Sequence, residues 1–173
     1  MSIWSLLFEK AFIYGLALSL VLTAITTISG TIVPDMWVGK YPPDIRQKYG
    51  PMSPRAARLR TYVVAAIFTA VLVIPILGLL ALRAEVNYVP FIPSLVFSFA
   101  TLLVFNVFDL IFLDWLLFCT IQPRLMVLPG TEGMPGYRDY RFHFIGFLKG
   151  FGFCAVGALL ITALWMVAQW LIF

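Results

Sequence analysis

Residues 93–119, PSLVFSFATLLVFNVFDLIFLDWLLFC, decide the fold. The run exceeds the roughly 20 apolar residues that cross a hydrocarbon core about 30 Å thick. Three further stretches, 11–33, 62–82 and 144–173, pass the same test. A span in lipid must satisfy its own backbone, so each of the four is expected to be a helix. The fold class is therefore all-α: a polytopic membrane protein, a four-transmembrane-helix bundle with two long loops, 34–61 and 120–143. Nothing between the spans is long enough for a separate soluble domain, and residues 1–173 read as one transmembrane domain.

Composition agrees. The chain is 62% hydrophobic and 12% charged, against roughly 45–50% and about 25% for soluble domains. The first stretch reads as a span rather than a cleavable signal. Its apolar run outlasts an h-region of about 7–15 residues, and Glu9 offsets Lys10.

Ten of the twelve basic residues lie in or beside the two long loops: Lys40, Arg46, Lys48, Arg55, Arg58 and Arg60, then Arg124, Arg138, Arg141 and Lys149. The positive-inside rule places both loops in the cytoplasm, and both termini outside the cytoplasm of a cell membrane, inner or plasma. These charges suit anionic lipid headgroups at the bilayer surface. Nucleic acid is not an expected partner for loops tethered there.

Two carboxylates stand inside the third span, Asp109 and Asp114. A charge at the centre of a membrane helix costs roughly 2.5–3.5 kcal/mol, and such residues usually face the bundle and find a partner. Counting helix rise from the cytoplasmic boundary places Asp114 and Lys149 at the same depth, about 7–8 Å. An Asp114–Lys149 ion pair is expected. Asp109 lies about 15 Å deep, near the bilayer centre. Asn106 precedes it on the same face, and Thr23 and Thr69 reach its level from the first two spans. Together these four predict a polar layer across the bundle.

Small residues recur every fourth position at Gly15, Ser19, Thr23 and Thr27, and again at Gly146, Gly150, Cys154 and Ala158. Such ladders let membrane helices approach closely. Pro75 interrupts the second span, and Ser53-Pro54 reads as a helix start. Cys119 and Cys154 read as packing residues. Leu125 to Leu128 suits either a short strand or a segment lying on the membrane.

At the cytoplasmic face, Glu132, Asp139 and His143 are the types used for acid–base work, and Arg138 and Arg141 suit phosphate. No HExxH, nucleophile elbow, P-loop or dinucleotide turn is present. With one histidine, a conventional His-based metal site lacks ligands, and no metal is expected. That imidazole could instead serve a haem or pigment of a partner complex, but the sequence specifies no cofactor.

Asp114-Trp115, Cys119, Pro123, the run Pro129-Gly130-Thr131-Glu132-Gly133 and the run Tyr137-Arg138-Asp139-Tyr140-Arg141-Phe142-His143 resemble small four-helix bacterial membrane proteins of no known activity. The resemblance covers most of the chain. It implies a prokaryotic membrane protein and brings no chemistry with it.

Three functions follow, in order of expectation. The first is a non-enzymatic accessory or scaffold subunit, partnered by other membrane subunits or by copies of itself. The second is a small oligomeric transporter or channel using Asp109 with Asn106. The third is an interface enzyme acting on a phosphate-bearing lipid.

Overall fold

The computed structural model describes residues 2–172. Four helices of 30 to 33 residues are long and apolar enough to cross a membrane. The chain is a multi-pass membrane protein. Helix α1 (Ile3–Ile32) starts at Ser2, whose hydroxyl accepts from the Ser5 backbone N–H at 3.2 Å. The first loop folds into a 3₁₀ segment, Pro34–Lys40, and a short α2 (Pro43–Tyr49). Helix α3 (Pro54–Val86) is capped by Ser53, which accepts from Ala56 N–H at 3.2 Å. The third span begins as α4 (Phe91–Phe108) and continues without a break as a π-helix, Asp109–Ile121. Helix α5 (Tyr140–Ile172) starts beside Asp139, which accepts from Phe142 N–H at 2.9 Å. The first, second and fourth spans thus start several residues before the apolar runs, where Ser2, Ser53 and Asp139 cap them. The 125–128 stretch holds no strand; it contains a 3₁₀ turn, Arg124–Met126.

Parallel α1 and α4 form the centre, with α3 packed on α1 and α5 packed on α4. Helices α3 and α5 meet only sparsely. The ladders act at these contacts. A methyl group on Gly15 would run into Val104 and the Thr101 carbonyl, and one on Gly150 into the Asn106 amide. Backbones this close recover the dispersion energy that lipid would otherwise supply. Leu18, Leu22, Leu79, Phe97, Leu102, Ile161 and Trp165 fill the core toward the end that bears the termini. There Gln169 closes the α3–α4 turn onto α5, accepting from Val89 N–H (3.2 Å) and donating to its carbonyl (3.0 Å). Lys10 pairs with Glu85 at 2.6 Å. The outer faces are apolar, as lipid requires; Phe153 is 79% exposed.

Both long loops sit together at the opposite end and make a packed cap. Tyr41, Ile45, Leu128 and Tyr137 bury their side chains there with Phe118 and Cys119 of the third span. The Tyr137 hydroxyl accepts from Leu128 N–H at 2.9 Å and lies 2.7 Å from Thr131 Oγ1. Tyr41 donates to the Met126 carbonyl at 2.9 Å; burial raises its phenol pKa well above the usual 10.0, so it stays a donor. Asp44 accepts from Gly136 N–H at 2.9 Å and so joins the two loops. These contacts account for the many turn-forming prolines and glycines: short segments bend back so that apolar side chains can meet.

Candidate functional site

Beneath the cap lies a partly open cavity of about 580 Å³. The two ladders explain why it exists. Gly15, Ser19, Gly150, Cys154 and Ala158 are used in close packing, but the members nearest the cap, Thr27 and Gly146, line the cavity instead. A methyl group on Gly146 would meet nothing within 4 Å. The helices part where small residues no longer face a partner.

The third span forms the polar wall. In its π-helical part, N–H and hydroxyl groups bond five residues back: Gln122 N to the Leu117 carbonyl (2.8 Å) and Thr120 Oγ1 to that of Trp115 (2.7 Å). In an α-helix at about 3.6 residues per turn, positions five apart point about 140° from each other. With five-residue bonding they come close to one face. Asp109 and Asp114 therefore line the same cavity, with Asn106 one turn before them. Long π segments are rare and often mark functional sites.

Asp114 does not pair with Lys149. Its Oδ1 lies 2.9 Å from His143 Nδ1. Helix register is the reason. Asn106 donates to the Phe147 carbonyl at 3.2 Å and touches Gly150, which sets Asp114 opposite the first turn of α5 and Lys149 nearer the level of Asn106. The equal-depth count assumed a later start for α5 and an ordinary α-helical rise throughout the third span. Lys149 lines the cavity wall and makes no ion pair among the described residues; the same holds for Lys40 of the cap.

The polar layer takes a different form. Thr69 faces outward and bonds its own helix at the Ala65 carbonyl (2.9 Å). Thr23 is turned from the cavity, its hydroxyl buried without a partner. Thr26 and Thr27 line the wall in their place. Asp109 makes no hydrogen bond or ion pair among the described residues.

The expected loop cluster is likewise dispersed. Glu132 folds onto its own turn, accepting from Gly130 N–H at 3.1 Å; that bond and its own backbone N–H hold its carboxyl below the usual 4.5. Asp139 serves as the α5 cap, Arg138 lines a shallow depression on the cap with Gln122 and Met134, and Arg141 is exposed. Of these candidates only His143 reaches the cavity.

His143 is 6% exposed and packs against Phe118, ring centroids 4.7 Å apart. Its Nδ1 faces Asp114, and its Nε2 is buried without a hydrogen-bond partner among the described residues. A carboxylate that orients an imidazole in this way prepares it to accept a hydrogen bond or a proton. No cluster of three or more metal-binding side chains occurs among the described residues. Cys119 and Cys154 are free and buried.

No protein-family model, curated protein or solved structure matches this chain.

Proposed function

We propose that this chain binds a bilayer amphiphile, taking its polar head sideways between α3 and α5 into a cavity in the cytoplasmic half of the membrane. The cavity carries this reading. One space joins apolar walls (Ile67, Leu110, Leu113, Ile145) to Asp109, Asp114, His143, Lys40 and Lys149, the mixture of a largely apolar pocket with a few placed polar groups. Of α3, Ile67 alone lines it, and α3 scarcely touches α5, so the covering is thinnest toward lipid.

Transport past Asp109 would need a polar continuation toward the other end. The residues there are closely packed: Leu18, Leu22, Phe97 and Leu102 with the buried hydroxyls of Ser19, Ser98, Thr101 and Thr162 among them, and the cavity does not extend to these. An accessory-subunit role draws on small size, the absence of a catalytic motif and the small-residue ladders, and most members of those ladders are already engaged inside the bundle.

The test is to purify the protein in mild detergent and weigh it with its lipids by native mass spectrometry. The unmodified chain should retain one lipid, and Gly146→Trp, which fills the open space, should lose it while melting at the same temperature. Equal lipid retention by the two proteins overturns the reading.

A further inference from the structure

The cavity holds unmatched charges of both signs. Lys149 comes from α5 and Lys40 from the cap; neither forms an ion pair among the described residues. Asp109 comes from the π-helical part of the third span and is equally without a partner, while Asp114 is already taken by His143. Asp109, Lys40, Lys149 and His143 all line this one cavity, so these groups belong to one site. Ionisable residues at membrane depth are normally paired. Here the protein does not supply the pairs.

Resting on the cavity reading above, we propose that the occupant's head carries both a phosphate and a primary ammonium group. The phosphate lies at Lys40 and Lys149, and the ammonium at Asp109. A purely anionic head would leave Asp109 with no donor to meet, and a purely cationic one would leave both lysines unmatched. A primary ammonium is favoured over a quaternary one because its N–H groups can donate to Asp109. Two sources share this chemistry: an ethanolamine phospholipid and free phosphoethanolamine.

The full-length protein, stripped of lipid, is offered an equimolar mixture of dioleoyl phosphatidylethanolamine, phosphatidylcholine, phosphatidylglycerol and phosphatidic acid, and the retained species are weighed by native mass spectrometry. The ethanolamine lipid should be retained about tenfold over the others, the ratio that 1.4 kcal/mol confers. Asp109→Asn should bring it level with phosphatidic acid, and Lys149→Gln should weaken both together. Displacement by millimolar phosphoethanolamine identifies the free head as sufficient; failure to displace identifies the lipid, and either result keeps the assignment. Equal retention of all four lipids, or a preference that survives Asp109→Asn, overturns it. Gly146→Trp separates the two levels. If it abolishes retention while no ethanolamine preference exists, only the head assignment falls. If it changes nothing, the cavity reading falls as well. Unchanged melting temperatures and gel-filtration profiles qualify each variant for the comparison.

Discussion

His143 Nδ1 lies 2.9 Å from Asp114 Oδ1, joining the first turn of α5 to the π-helical half of the third span. The bond crosses the α4–α5 interface just under the cap, so it holds the cavity wall and the loop cap in one arrangement.

Removing the imidazole leaves a carboxylate in a largely apolar wall. His143→Ala should cost about 1 kcal/mol, the lower end of the penalty for an unpaired polar group, because Asp114 is only partly buried. Asp114→Asn keeps an oxygen to accept from Nδ1–H and should cost less. Thermal unfolding of both variants in detergent checks the order, and a reversed order would show that the pair does not work as described.

Gly146 and Gly150 stand one turn apart on the same ladder and should respond oppositely. Gly150→Ala forces a methyl group into the Asn106 amide and should destabilise by about 1–3 kcal/mol, as overpacking does. Gly146→Ala meets open space and should stay within about 0.5 kcal/mol of the parent. Equal melting temperatures for the two variants would contradict the packing.

Gln169 satisfies both backbone groups of Val89 in a buried turn. Gln169→Ala should cost about 1–3 kcal/mol for each group left unpaired. Amide exchange at Val89 should accelerate, while exchange in the cap stays unchanged.

Asp35 accepts from Ser53 N–H at 2.7 Å. Burial pushes its carboxyl up, but the Ser53 hydrogen bonds outweigh this and hold it below the usual 3.8. A depressed folded-state pKa means the stabilisation is fully present above the unfolded value. It is lost as pH falls through the folded one. Protection of residues 34–53 from proteolysis should therefore persist at neutral pH and fade below about pH 3.8. Asp35→Asn should be less protected at pH 7 and show no such step.

The polar residues divide according to what positions them. Ser53-Pro54 was legible as a helix start because a cap is local: its hydroxyl reaches an N–H three residues on. His143 and Asp114 were both visible as candidates, but their partnership was not, since depth counted along an ideal helix missed the α4–α5 register. Thr69 and Thr23 show the other failure. Residue counting gives depth and says nothing of rotation, and both threonines face away from the site.

Four apolar runs, their minimum lengths and the gathering of basic residues at one end follow from sequence alone, because the cost of placing a residue in lipid is paid residue by residue. Pairing of helices, the side-by-side placement of Asp109 and Asp114, and the cavity beneath the cap arise only in the tertiary structure. They depend on rotation, register and a switch from four- to five-residue bonding, each fixed by contacts between distant segments.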